Sequence, residues 1–206
     1  MYLQLALDRM SREECLRVAS ETKDYIDLIE IGTTVLKEYG MSIAKEMREL
    51  FPDKKIVVDT KTCDSGAYET SQVFDSGGDV STVMAFSSDE TIKKSKQTAE
   101  WFGKELVVDL LEIQQKKRLS QLEEIGVNSV SLHIGTDKQE TEMFDTDLFS
   151  LLEGFNFKVS VAGGINLQSL PSIVKYYPDV VIVGSAISNA SNPKAEARKF
   201  KEIINQ

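Results

Sequence analysis

Short apolar runs bounded by polar turns alternate with amphipathic stretches along the whole chain, the pattern of buried strands separated by helices. The runs lie at Tyr2 to Asp8, Ile26 to Ile31, Ile56 to Thr60, Val80 to Phe86, Leu106 to Leu110, Ser129 to His133, Lys158 to Ala162 and Asp179 to Val183. Helix starts are marked between them. Ser11 with Glu14 and Ser87 with Glu90 have capping-box spacing, and Asn192 followed by Pro193 suits an N-cap and first helical position. Strands alternating with helices predict a parallel sheet covered by helices. Eight such units in 206 residues predict one α/β domain over residues 1–206, a compact (β/α)8 barrel of the TIM type. A doubly wound open sheet is the competing arrangement.

A barrel carries its working groups at the C-terminal ends of its strands, facing the axis. Side-chain alternation shows which residues end there. Leu3, Leu5 and Leu7 take one face of the first run and Gln4, Ala6 and Asp8 the other, so Asp8 closes it facing the axis. By the same parity Glu30 closes the second run, Asp59 and Lys61 the third, Asp109 the fifth after Val107, and His133, the sole histidine, the sixth. One polar strand end is ordinary, but five strands delivering ionisable groups in the same phase point to a functional rim. The densest stretch is Asp59-Thr60-Lys61-Thr62-Cys63-Asp64, a D-x-K-x-x-D motif. Charges on the inward face of a buried strand are costly unless paired or metal-bound, whereas Asp64 falls in the following turn. Thr62 and Cys63 read as packing between them.

Composition narrows the function chiefly by exclusion. A formal net charge of -9 disfavours nucleic acid and an anionic membrane surface as partners. The one basic cluster, Lys116-Lys117-Arg118, reads as a solvated helix face. No apolar run is long enough to span a bilayer, and because Met1 leads within a few residues into the first strand, no signal peptide is expected. Two well-separated cysteines imply no disulfide framework, so a cytoplasmic, reducing location is expected.

The last two strands end in glycine, at Val161-Ala162-Gly163-Gly164-Ile165-Asn166 and Val183-Gly184-Ser185-Ala186, each expected just before a helix. Glycine lets backbone amides approach an anion, and the loops after strands seven and eight are the recurrent phosphate position of such barrels. Glu30 and Asp59 on neighbouring strands would form an all-oxygen site suited to Mg2+. A metal there could polarise a carbonyl and stabilise an enediolate, with Lys61 adding positive charge and His133 moving a proton beside the carbonyl. The acids flanking Lys61 raise its pKa and argue against a Schiff base.

Several of these segments together carry a family likeness. Leu3-Gln4-Leu5-Ala6-Leu7-Asp8, Ile29-Glu30-Ile31-Gly32-Thr33, the D-x-K-x-x-D motif, His133-x-Gly135-x-Asp137, Val161-Ala162-Gly163-Gly164-Ile165 and Val181-Ile182-Val183-Gly184 run nearly end to end. In them the chain resembles the hexulose-phosphate synthase and keto-gulonate-phosphate decarboxylase family, within the orotidine-phosphate decarboxylase superfamily. The resemblance implies an Mg2+-dependent aldol condensation of D-ribulose 5-phosphate with formaldehyde. It also implies that Glu30 and Asp59 hold the metal, Asp8 and Lys61 contact substrate and intermediate, Asp109 orients substrate hydroxyls and His133 acts as acid and base. Gly163, Gly164, Gly184 and Ser185 would bind phosphate, and Asp64 would reach the site of a neighbouring subunit in a homodimer. The decarboxylase pattern has an arginine three residues after the histidine, where this chain has Thr136, which favours the synthase reaction. Ile134 stands where the synthase pattern has threonine, and Ala85-Phe86-Ser87-Ser88 replaces its glycine-containing segment. Decarboxylation of 3-keto-L-gulonate 6-phosphate is the alternative reaction, and a catalytically silent sugar-phosphate-binding barrel the non-enzymatic one.

Overall fold

All eight apolar runs form strands, and each pairs in parallel with its chain neighbours until the last meets the first. The computed structural model describes residues 1–139 and 144–206 of this closed (β/α)8 TIM barrel. The order runs β1 (Tyr2–Leu7), α1 (Arg12–Thr22), β2 (Leu28–Ile31), α2 (Thr33–Tyr39), α3 (Ser42–Leu50), β3 (Lys55–Thr62), α4 (Gly66–Asp75), β4 (Val80–Met84) and α5 (Asp89–Phe102). It continues with β5 (Glu105–Asp109), α6 (Lys116–Ile125), β6 (Ser129–His133), β7 (Lys158–Ala162), α7 (Leu170–Ile173), β8 (Val180–Val183), α8 (Ser185–Ser188) and α9 (Pro193–Ile204). No described helix is long and apolar enough to cross a membrane.

Strand alternation sorts the core into two regions. Leu3, Leu5 and Leu7 of β1 are fully buried and join Ile29, Ile31, Ile56, Val58, Val181 and Phe200 in the layer between sheet and helices. Inside the barrel, Leu28, Val57 and Val80 form a separate apolar cluster with Val107 and Val180 beside it. These residues lie towards the N-terminal ends of their strands, so the interior is apolar there and polar where the strands end. A register shift breaks the regular ladder between β3 and β4: Val58 pairs with Ser81 but Thr62 with Val83. Four residues on β3 thus advance against two on β4, and Lys61 sits in the resulting bulge at φ 48. A left-handed conformation costs an L-residue roughly 1 kcal/mol or more, so the surrounding bonds must hold it.

Two of the three helix starts stand as read. Ser11 and Glu14 form a reciprocal capping box, and the Asn192 side chain accepts from the Ala195 N–H ahead of α9. The third shifts by one residue, because Ser88 rather than Ser87 caps α5 by accepting from the Thr91 N–H. Ser87 is otherwise engaged: its hydroxyl donates to the Thr62 carbonyl and its own carbonyl accepts from Arg118.

That arginine also corrects the reading of Lys116-Lys117-Arg118 as a solvated face. Both lysines are exposed, but Arg118 reaches from α6 to donate to the Ala85 and Ser87 carbonyls at 2.6 and 2.9 Å and pairs with Asp89 at 2.6 Å. The β4–α5 loop is therefore fastened by a side chain from the next unit. The expected α-helix after β6 is absent among the described residues, which hold 3-10 helices at Thr136–Lys138 and Thr146–Leu152. Leu148 with Leu151 and Phe149 with Leu152 repeat every third residue, the spacing that aligns side chains in a 3-10 helix.

Replacing Arg118 with methionine keeps most of its packing but leaves two loop carbonyls and Asp89 without their donor. Urea unfolding is expected to show a loss of about 2 kcal/mol, in the range for charge-assisted hydrogen bonds. An unchanged midpoint would show that the clamp contributes nothing to stability.

Candidate active site

A cavity of about 1300 Å³ runs along the inside of the barrel, from Leu28, Val57 and Val80 to the polar rim where the strands end. Asp8, Glu30, Asp59, Lys61, Asp109 and His133 all line it, as do Gly163, Gly164, Gly184 and Ser185. Every residue expected at the rim is thus brought to one space, and Asp64, expected in the turn beyond β3, does not line it. That side chain is exposed beside the cavity of its own chain, where it accepts from the Ser65 N–H at 2.7 Å. Thr62 is buried and bonds Glu69 at 2.7 Å, consistent with packing, but Cys63 is exposed and its thiol donates to the Lys61 carbonyl at 3.3 Å, so it is not a packing residue.

Lys61 stands at the centre of the charged group. Its Nζ lies 2.7 Å from Asp109 Oδ2 and 3.1 Å from Asp59 Oδ2. Burial alone would lower the lysine pKa, but Asp59 and Asp109 reverse the effect and raise it, so the ammonium stays charged. Asp109 is almost fully buried, and burial would raise its pKa. The His133 hydrogen bond, the His133 charge and Lys61 instead pull it down to about 2. The His133 Nδ1 donates to Asp109 Oδ2 at 2.9 Å, which fixes the ring and leaves Nε2 for a substrate. Burial of the imidazole would lower its pKa, yet the bond to Asp109 and its charge prevail and raise it.

Supporting hydroxyls and an amide hold the acids. Thr82 Oγ1 donates to Asp59 Oδ1 at 2.7 Å, and Thr33 Oγ1 lies 2.9 Å from Oδ2. The Gln4 amide donates to Glu30 Oε2 at 2.6 Å. Burial, and then the negative charge of Asp59, push the Glu30 pKa up to about 7 against the opposing effects of Gln4 and Lys61. Two carboxylates that resist being charged together are a donor set that a divalent cation would satisfy. The described residues hold no cluster of three or more potential ligands, so such an ion would keep several waters or substrate oxygens, as Mg2+ commonly does.

Two glycines make the rim possible. A Cβ at Gly32 would come within 2.7 Å of the Asp8 carboxyl and the Leu7 carbonyl, so β1 and the turn after β2 can approach only without one. This approach lets Asp8 accept from the Thr34 N–H at 3.0 Å and from the Thr34 hydroxyl. Gly163 has φ 111, and its Cβ would lie 2.4 Å from the Ile134 carbonyl. The two glycine loops continue differently. Gly184 leads directly into α8, but Gly164 does not lead directly into a helix as expected: the Asn166 side chain first accepts from the Gln168 and Ser169 N–H groups in a turn before α7.

Gln4, Thr33, Thr34 and Thr82 were not anticipated as site residues. Gln4 had a visible signal, as a polar inward position in a run of leucines. Thr82 shares its parity with Val80 and could have been read the same way. Thr33 and Thr34 lie beyond the strand, where alternation no longer specifies direction.

A closed eight-stranded barrel with a half-buried lysine held between two buried aspartates at its C-terminal rim defines an enzyme-like site. The chain belongs to the orotidine 5'-phosphate decarboxylase / HUMPS family, which it matches over residues 1–200. It is 34% identical to the 3-hexulose-6-phosphate synthase of Bacillus subtilis (strain 168), with 100% of each chain covered. Its structure resembles that of 3-hexulose-6-phosphate synthase from Salmonella typhimurium, with a TM-score of 0.97, 36% identity and coverage of 100% of this chain and 99% of that one. It also resembles KGPDC from Streptococcus mutans, with a TM-score of 0.92, 29% identity and coverage of 99% of this chain and 97% of that one.

The single histidine gives a direct reading of this electrostatic arrangement. Its NMR titration is expected above the ordinary 6.5. Asp109→Asn removes the charge that raises it, so the midpoint should fall. The raised pKa also means that the Asp109–His133 pair stabilises the fold fully below the unfolded histidine pKa and loses this contribution as pH rises through the folded value. A midpoint unmoved by Asp109→Asn would refute the assigned cause.

Proposed function

We propose that the protein catalyses aldol condensation of D-ribulose 5-phosphate with formaldehyde to 3-hexulose 6-phosphate in an Mg2+-dependent reaction. Full-length similarity to 3-hexulose-6-phosphate synthases supports the reaction. The observation that carries the choice of reaction is Thr136, which lines the cavity three residues after His133 where the decarboxylase pattern has arginine.

Glu30 and Asp59 would hold the metal, which supplies Lewis-acid polarisation of the substrate carbonyl when bound. His133 takes the proton from the carbon beside that carbonyl at Nε2, while Asp109 holds Nδ1 and stabilises the imidazolium that forms. Lys61 stabilises the negative charge that develops on the enediolate oxygens. The enediolate carbon then forms a bond to the formaldehyde carbon as the C=O π bond breaks, and the resulting alkoxide takes the proton back from the His133 imidazolium to complete the new hydroxymethyl group. Asp8 and Asp109 orient sugar hydroxyls, and the Gly163-Gly164 and Gly184-Ser185 loops hold the phosphate. Asp64 serves the neighbouring site of a homodimer, which accounts for its absence from the cavity of its own chain. The setting is cytoplasmic, where a phosphorylated sugar would be available.

Formaldehyde consumption with ribulose 5-phosphate and Mg2+ should be abolished by chelation and restored by added Mg2+. Release of carbon dioxide from 3-keto-L-gulonate 6-phosphate without formaldehyde consumption would replace the assignment by the decarboxylase reaction. Lys61→Ala should reduce turnover by at least about a thousandfold while the protein stays folded, as removal of a central transition-state charge does; wild-type rates would end its assigned role. Mixing inactive Asp64→Ala and Lys61→Ala chains should recover part of the activity through sites built from both. Absence of recovery, with subunit exchange demonstrated, would count against shared sites.

A further inference from the structure

Thr82 supplies a single hydroxyl at the point where the charged motif departs from regular strand geometry. Its Oγ1 accepts from the Lys61 N–H at 3.0 Å and donates to Asp59 Oδ1 at 2.7 Å, and its carbonyl accepts from Thr60 Oγ1 at 2.8 Å. Between the paired residues Val58–Ser81 and Thr62–Val83, Thr82 alone on β4 faces the bulge of β3. Lys61 there has φ 48, and the Thr82 side chain takes the place of a backbone acceptor for its N–H. The hydroxyl has one hydrogen, already given to Asp59, so Thr82 has none to donate to a substrate.

We propose that Thr82 is a positioning residue for the reaction, holding the left-handed Lys61 backbone and the Asp59 carboxylate in their working arrangement through one hydroxyl. This inference rests on Lys61 and Asp59 acting in the reaction as assigned above. Valine at this position retains shape and β-branching but offers neither acceptor nor donor. Lys61 then loses the bond that offsets its conformational cost, and its ammonium is no longer fixed between Asp59 and Asp109. Serine retains both bonds.

Crystal structures and steady-state kinetics of Thr82→Val and Thr82→Ser test the assignment. In Thr82→Val, Lys61 is expected to leave the left-handed region and its Nζ to move out of contact with Asp109. The kcat per folded active site should fall at least about tenfold, the scale for losing a hydrogen bond to a charged group. The KM for ribulose 5-phosphate should change less than about threefold, because the loss falls on the reacting charge rather than on substrate binding. Thr82→Ser should recover most of kcat, and Thr82→Ala should repeat the loss if the valine variant does not fold. Wild-type kcat in the valine or alanine variant, a serine variant as impaired as valine, or an unmoved Lys61 would overturn the proposal. Because the structural measurement does not depend on turnover, it decides the hold of Thr82 on Lys61 even if Lys61→Ala shows the catalytic reading to be wrong.

Discussion

The half-buried ammonium of Lys61 between the buried Asp59 and Asp109 governs the arrangement of this barrel's upper end. A charge partly withdrawn from water is held by near neighbours, and the two buried carboxylates beside it carry the stronger requirement. Asp109 meets it with Lys61, His133 and the Leu111 N–H at 2.9 Å, and Asp59 with Lys61, Thr33 and Thr82. Removal of any one charged member leaves another buried and uncompensated, which is why such a group behaves as a unit. The barrel supplies what the cluster needs: three different strands ending at one level, each able to deliver a side chain to the same point.

The same geometry separates two roles for the interior. Leu28, Val57 and Val80, with Val107 and Val180, line the cavity where the strands begin. The cavity wall therefore has an apolar stretch in its lower part and a charged one above. Glu30 is the member of that wall least settled in its charged form, since burial and Asp59 both oppose ionisation. Its environment suits a group that becomes an anion when a cation is present, which connects the electrostatics of the free site to the proposed use of Mg2+.

Support for the site comes from outside the motif as much as within it. The Arg118 clamp holds the loop after β4, and Ser87 in that loop donates to the Thr62 carbonyl at 3.3 Å. A basic residue that reads in isolation as solvent-facing thus braces the strand end bearing Lys61 from the adjacent βα unit. Gly32 and Gly163 act differently, by leaving room for Asp8 and for the Ile134 carbonyl.

The order of elements and the inward face of each strand were legible in the sequence, because alternation has a period of two and one face of every strand must pack under helices. That suffices to place Asp8, Glu30, Asp59, Lys61, Asp109 and His133 at one rim, since the barrel converts local parity into a shared space. Parity reached the right side for Lys61 by too simple a route: the strand is bulged and its lysine left-handed, which no single-strand pattern reveals. The cap at Ser88, the clamp made by Arg118 and the 3-10 turns after β6 depend on partners distant in sequence or on local packing, so only the folded chain decided them. The residues that hold the catalytic candidates in place, Gln4, Thr33 and Thr82, belong to the same class. Polar types at inward positions can be counted from the sequence, but which hydroxyl meets which carboxylate is set by register between strands, and register is a tertiary property.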